Sequence, residues 1–236
     1  MKLPLNNQRH TFRLLPCLML ALALFVSSCN REDPVEVTEE DAVDLVESTV
    51  ATDDEGVAAV ASDGARMAVE NATACLAGDS TFTSEFTGSV RQYTFNVAWD
   101  WTVTCEQAVP QAFNLATNSL GSFSGTRLDY NGESAVSLVI TNLVSGDPTV
   151  NGSATNNFTV TTKVRTAITF DARIAFTFIN VAFDRTTYEI KSGTAGVTFT
   201  GSTADGNSYS YAGTLTFLGG GSATLVLGGN TYNITV

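Results

Sequence analysis

Hydrophobic and polar residues alternate with a period of two along much of the chain after residue 78. The clearest run has seven apolar side chains at every second position, with hydroxyl, amide and acidic side chains between them. Because successive side chains of a strand point to opposite faces, this run predicts a long strand with one apolar and one polar face. Its apolar residues are Tyr93, Phe95, Val97, Trp99, Trp101, Val103 and Cys105.

A second long run, from Ile168 to Phe178, alternates in the same way before its apolar phase moves to Ile179, Val181 and Phe183. Such a slip indicates a bulge, and hence a curved sheet. Shorter runs continue to Val236, and they are separated by pairs that are typical of hairpin turns. These predicted turns are Asn131-Gly132, Asn151-Gly152, Asp205-Gly206, Gly219 to Gly221 and Gly228 to Asn230.

Residues 38–77 show helical spacing instead. Thr38 precedes three acidic residues, which predicts an N-cap and a first helix over about 39–51. Thr52 begins a second capping box and predicts a helix over about 54–72, although Gly56 and Gly64 lower its helix propensity. The predicted fold is therefore mainly β (α+β), with an N-terminal helical segment packed on a curved antiparallel meander of about ten strands.

The N-terminus has the anatomy of a secretory signal peptide. Basic residues come first and an apolar stretch follows, namely Lys2, Arg9 and Arg13 and then Leu14 to Val26. The sequence Val26-Ser27-Ser28-Cys29 resembles the lipobox of bacterial lipoproteins. The resemblance implies cleavage before Cys29 and acylation of that residue, for example with palmitate. A retained transmembrane anchor is the alternative, but crossing a bilayer takes about 20 apolar residues.

The segment after Cys29, Asn30-Arg31-Glu32-Asp33-Pro34, resembles the surface-export signal of Bacteroidota lipoproteins. That resemblance implies exposure at the cell surface, whereas a plain solvated linker would leave the periplasmic face open. Stretches of the C-terminal half resemble uncharacterised β-rich lipoproteins of the same bacteria, which implies an architecture and no activity. These stretches are Ser192 to Ala195, Tyr211 to Phe217 and Ala223 to Leu225.

These features divide the chain into four parts. Residues 1–28 are the predicted signal peptide, 29–37 a lipidated acidic tether, 38–77 the helical segment and 78–236 the antiparallel β domain. Residues 30–77 carry 13 acidic and 2 basic side chains, which accounts for most of the net charge of -12 of the whole chain. Because this charge repels phosphates, we expect no nucleic-acid partner.

The cysteines predict one disulfide. Cys17 lies in the signal peptide and Cys29 is the predicted lipid acceptor, so Cys75 and Cys105 remain as a pair in an oxidising compartment. The only histidine, His10, is also in the signal peptide. A Ser-His-Asp triad and a histidine-ligated metal site are thereby excluded from the mature chain, and we expect no metal and no cofactor.

The aromatic residues of the longest run are the candidate ligand-binding residues. Tyr93, Phe95, Trp99 and Trp101 either form core beneath the helices or line a groove for an apolar ligand such as an acyl chain. Paired carboxylates able to cleave glycosides are a further alternative. Their candidates are Asp100, Asp129, Asp171, Asp184 and Glu189, although Asp171 and Arg173 are also spaced to form a surface ion pair.

The sequence therefore predicts a lipid-anchored protein of the cell outer membrane that is not an enzyme and has a binding or structural role. The alternative is a carrier or sensor of an apolar ligand, such as a lipid, in a concave sheet. The membrane is the expected partner, through the lipid on Cys29. Whether a protein, a glycan or a lipid is bound besides is left open.

Overall fold

The computed structural model describes residues 36–51 and 56–236. The predicted signal peptide, Cys29 and the tether up to residue 35 lie outside the described residues, as does the capping box that begins at Thr52. Two helices, α1 (Glu39–Val50) and α2 (Val57–Glu70), precede ten strands. The strands are β1 (Ala77–Thr87), β2 (Gln92–Glu106), β3 (Val109–Ser124), β4 (Leu128–Thr141), β5 (Thr149–Thr162), β6 (Thr169–Phe183), β7 (Ile190–Thr203), β8 (Ser208–Gly219), β9 (Ser222–Leu227) and β10 (Asn230–Thr235).

All ten strands form one antiparallel sheet in which each strand pairs with the next along the chain. The sheet is not closed, so β1 and β10 are its two edges. The mainly β meander with helices before it is thus confirmed. The predicted phase slip is also confirmed, because the register between β6 and β7 shifts between Ile179 and Ala182.

Two of the predicted hairpin turns are wrong. Asn131-Gly132 lies inside β4 and Asn151-Gly152 lies inside β5. Gly132 sits between Gly121 of β3 and Phe158 of β5, and a Cβ built on it would lie 2.9 Å from Cδ1 of the Phe158 ring. Glycine is present in mid-strand because an aromatic ring and the neighbouring backbone occupy the space of a side chain.

Helix α1 begins as predicted. The Asp41 backbone amide donates to Thr38 Oγ1 at 3.2 Å, and the Thr38 amide donates to Asp41 Oδ2 at 3.0 Å, which completes a capping box. Helix α2 starts after Gly56, which makes no side-chain cap bond. Small residues such as Gly64 let α2 approach the sheet closely, since a Cβ on Gly64 would lie 2.8 Å from Cδ2 of Leu115.

The apolar residues of α1, α2 and one face of the sheet form a single core. We call this the inner face and the opposite one the outer face. Full burial of an aliphatic or aromatic side chain stabilises the fold by about 1.5–3 kcal/mol. The largest fully buried side chains are Leu45 of α1 and, in the sheet, Phe113, Leu115, Leu138, Ile140, Phe170, Ile174, Phe176, Phe183, Phe199, Leu215 and Leu225.

Helix α1 is also bonded to the β10 edge of the sheet. Glu39 Oε1 accepts hydrogen bonds from the Tyr232 hydroxyl at 2.8 Å and from Asn230 Nδ2 at 3.1 Å. One turn from the end of the helix, Glu47 Oε1 accepts from the Thr235 backbone amide at 3.2 Å. These bonds satisfy donors on an edge strand that otherwise offers itself for pairing with another chain.

The Tyr232 contact predicts a pH dependence of stability. Burial of the hydroxyl and its hydrogen bond to Glu39 raise the pKa of Tyr232 to about 12. A tyrosine in the unfolded chain has a pKa of about 10, so this contribution is present below pH 10 and is lost as the pH rises towards 12. We expect the melting temperature of Tyr232→Phe to fall less between pH 10 and pH 12 than that of the wild type. Circular dichroism measures the melting temperature at each pH. The control is Tyr209→Phe, which retains Tyr232 and should behave as the wild type does.

Candidate functional site

The predicted disulfide is present in the structure. Cys75 and Cys105 are bonded, which joins the segment before β1 to the end of β2. Cys29, the predicted lipid acceptor, lies outside the described residues. Both cysteines are used in this covalent link. The candidate site is therefore described from the two faces of the sheet.

The four aromatic candidates lie on the inner face. Phe95 and Trp99 are buried in the core, and Tyr93 and Trp101 are half-buried and packed against it. The Trp101 ring stacks on Phe113 with 5.4 Å between centroids. A cavity between the helices and the sheet, lined in part by Phe95, has a volume of about 30 Å³. An apolar ligand on this face would therefore have to displace packed side chains.

Most side chains of the outer face are polar, and the strand register aligns them in rows that run across the strands. What we call the central row takes one residue from each of β1 to β8. Neighbours in such a row are about 4.8 Å apart, the spacing of paired strands. The central row is Thr83, Asn96, Leu120, Glu133, Asn157, Arg173, Thr200 and Ser210.

Two further rows flank the central row. The row on one side, here called the hydroxyl row, consists of Glu85, Thr94, Ser122, Asn131, Thr159, Asp171, Ser202 and Ser208. The row on the other side, here called the alanine row, alternates alanine with threonine or asparagine. It consists of Thr81, Ala98, Asn118, Ala135, Thr155, Ala175, Thr198 and Ala212.

Hydrogen bonds join neighbours within the rows. In the central row, Thr83 Oγ1 donates to Asn96 Oδ1 at 2.9 Å, and Asn157 Nδ2 donates to Glu133 Oε1 at 3.2 Å. In the hydroxyl row, Thr159 Oγ1 donates to Asp171 Oδ1 at 2.8 Å. These bonds orient the amide and carboxylate groups of an exposed surface, and each of the two carboxylates retains a second oxygen that is able to accept.

The expected ion pair between Asp171 and Arg173 is wrong. Among the described residues Asp171 takes part in no ion pair and accepts from Thr159 instead. Both side chains are exposed, and both line the same depression of the outer face. The guanidinium of Arg173 is thereby available to a ligand.

Two adjoining depressions lie over the middle of the outer face, and smaller ones of about 440 and 500 Å³ are lined in part by Asp129 and by Asp100. The first, of about 710 Å³, lies between the alanine row and the central row over β1 to β5, and the second, of about 760 Å³, lies between the central row and the hydroxyl row over β3 to β8. Leu120, Glu133 and Asn157 line both depressions. The two together form a continuous trough that crosses the central row diagonally, and each is as large as a typical ligand pocket.

Sequence reasoning did not identify this trough. The alternation of β2 and β6 predicts a polar face for each strand, but it does not indicate which polar residues of different strands lie side by side. These residues become neighbours through the register of eight strands. No local motif in the sequence indicates that register. Other carboxylates named from the sequence, Asp100, Asp129, Asp184 and Glu189, do not line the two depressions.

The described part of the chain holds no group of three or more histidine, cysteine, aspartate or glutamate side chains placed to bind a metal ion. Within residues 36–51 and 56–236, neither helix is long and apolar enough to cross a membrane. Comparisons of the chain with known protein families, with curated proteins and with solved structures found no match.

Proposed function

We propose that this protein is a lipid-anchored component of the cell outer membrane that binds a polar ligand, without chemistry, on the outer face of its sheet. The observation that carries the proposal is that one face of the sheet is covered and the other is open. The inner face is filled by α1, α2 and the core, whereas the outer face presents a continuous trough in which hydroxyl, amide and charged side chains stand beside apolar ones such as Leu120 and Ala135.

The side chains of the trough favour binding over hydrolysis. A carboxyl group that acts as a general acid is held in an apolar pocket that favours its protonated form. Glu133 and Asp171 are instead exposed, and each accepts a hydrogen bond from a neutral neighbour on the next strand. Such groups are arranged to accept hydrogen bonds from a ligand.

Filling the trough is expected to abolish binding while leaving the fold intact. Ala135 is exposed in the alanine row and lines the first depression, so Ala135→Arg places a long side chain there without entering the core. The intact protein is extracted in detergent, and the molecules that co-purify with it are identified by untargeted mass spectrometry. We expect a polar envelope component with the wild type that is absent from the variant.

Thr177→Arg is the matched control, because it adds the same side chain at a position that is exposed on the outer face of β6 but lines neither depression. The control should retain the component that Ala135→Arg loses. If the two variants and the wild type retain the same components, the outer face is not the binding surface and the proposal is wrong.

The anchor predicts a second result. Cys29→Ala removes the proposed lipid acceptor, so we expect the protein to leave the membrane fraction or to accumulate as the uncleaved precursor. Stable anchoring needs more than one acyl chain, each contributing about 0.8 kcal/mol per buried methylene, and all of them depend on this residue. Fractionation followed by mass measurement checks the expectation. Recovery of the variant in the detergent phase at wild-type mass and amount contradicts it.

A further inference from the structure

We infer that the ligand of the outer face is an uncharged, linear polysaccharide that lies along the trough and crosses the central row at Leu120, Glu133 and Asn157. This inference rests on the proposed binding function and adds the chemical class of the ligand. It is carried by the chemistry of the side chains that line the trough, by the charge of the surface and by its length.

The first argument is hydrogen bonding. Each hydroxyl group of a sugar both donates and accepts, so a matching surface has to place donors beside acceptors. In the central row the carboxylate of Glu133, the amide of Asn157 and the guanidinium of Arg173 follow one another on β4, β5 and β6. The carboxylate only accepts, the guanidinium only donates and the amide does both. Because Asn157 Nδ2 donates to Glu133 Oε1, the groups left to a ligand here are Glu133 Oε2, Asn157 Oδ1 and the guanidinium of Arg173.

The second argument concerns the apolar side of a sugar ring. A pyranose has C–H groups on its faces, and these gain from contact with an apolar side chain. Leu120 is 61% exposed and lies between two polar residues of the central row, Asn96 and Glu133. It lines both depressions, where a ring that spans the crossing point would cover it.

The third argument is charge. Glu133, Asp171 and Arg173 are the charged residues that line the two depressions, so the trough has a net charge of about -1. Two carboxylates beside a single guanidinium repel an anionic polymer and give little attraction to a strongly cationic one. An uncharged polymer is not repelled, because its hydroxyl groups can donate hydrogen bonds to the carboxylates and accept them from the guanidinium.

The fourth argument is length. The two depressions extend over the outer face from β1 to β8, and seven strand spacings correspond to about 34 Å. A small metabolite would occupy only part of this length, whereas a chain of several sugars would contact the surface throughout. An open trough also admits the interior of a polymer, which an enclosed pocket excludes. The geometry therefore favours a linear chain over a single sugar.

Binding to defined polysaccharides tests the inference. The intact protein in detergent is titrated with four uncharged linear polymers (amylose, β-1,4-mannan, β-1,4-xylan and a linear β-1,3-glucan) and with alginate as the anionic comparison. We expect saturable binding to at least one uncharged polymer and none to alginate. Asn157→Ala and Leu120→Ala should each weaken that binding about tenfold, as the loss of one or two good contacts does.

Control variants separate the trough from the rest of the surface. Thr177→Ala should bind as the wild type does. Arg173→Ala should weaken binding, whereas Arg66→Ala, which removes an exposed arginine from α2, should leave it unchanged. Unaltered tryptophan fluorescence shows that each variant is folded, so a loss of affinity is assigned to the trough.

Three outcomes overturn the inference. They are binding to none of the four uncharged polymers, tighter binding to alginate, and equal affinity of Asn157→Ala and Leu120→Ala with the wild type. If no polymer binds while Ala135→Arg still loses a co-purifying protein or lipid, the ligand class is wrong and the proposed binding face remains. If Ala135→Arg loses nothing, both fail.

Discussion

Replacing Cys75 and Cys105 together by alanine is expected to lower the free energy of unfolding by about 3.5 kcal/mol, from the entropy of a closed loop of this size. The two cysteines are 30 residues apart in sequence, and the loop that they close contains the whole of β1 and most of β2. Strand β1 is an edge strand, and β2 is its partner in the sheet. The disulfide therefore restrains one of the two edge strands of the sheet.

Chemical denaturation followed by tryptophan fluorescence measures this effect. Adding a reductant should destabilise the wild type to a similar degree and leave the double alanine variant unchanged. Hydrogen exchange should become faster in β1 than in β6, since β1 relies on one paired edge. A loss of stability below about 1 kcal/mol would show that the native sheet retains β1 without the bond.

Replacing Arg165 by methionine is expected to lower the free energy of unfolding by about 3 kcal/mol, because the buried carboxylate of Asp41 loses its cationic partner. Arg165 lies between β5 and β6. Its Nη2 is 2.7 Å from Asp44 Oδ2, and its Nε donates to Asp41 Oδ1 at 3.1 Å. The side chains of both aspartates on α1 are less than 10% exposed. Arg127 also contacts Asp44, at 2.7 Å, and is more exposed.

The melting temperature should fall by about 6–12 °C in a chain of this size. Arg66→Met is the matched control, because Arg66 is half exposed and pairs with Asp63 and Glu70 on its own helix, where a pair contributes under about 1 kcal/mol. In a double-mutant cycle, Asp44→Asn should cost less in the Arg165→Met background than in the wild type. Equal costs in both backgrounds would mean that the two side chains are not coupled.

This cluster explains how a helix of 12 residues is held on a sheet of ten strands. Burial of Leu45 and Val46 holds α1 on the inner face but does little to fix the orientation of the helix axis on the sheet. The bonds to Arg165 near its start, and those of Glu39 and Glu47 to β10, fix the direction. Polar contacts specify the position of the helix, and apolar burial supplies most of the stabilisation.

Local patterns predicted the elements whose alternation is uninterrupted. β2 and β6 were identified because apolar side chains occupy nearly every inner position, and α1 because Thr38 caps a stripe of valine and leucine. No run was identified for β1 or β3. The inner positions of β3 include Thr117 and Gly121, and those of β1 include Ser80 and Ser84, so neither strand has a continuous apolar phase.

By itself, the sequence determined that the protein is a mainly β meander with two N-terminal helices and a disulfide, because propensity, period and cysteine count act over short distances along the chain. Only the tertiary structure decided that Gly132 and Gly152 lie within strands, since a neighbouring strand occupies the space of their side chains. The tertiary structure also determined which residues line the trough. Glu133, Asn157 and Arg173 become neighbours through the register of three strands, and Arg165 meets Asp44 across 121 residues of chain. Such contacts depend on how whole strands align, which no local pattern records.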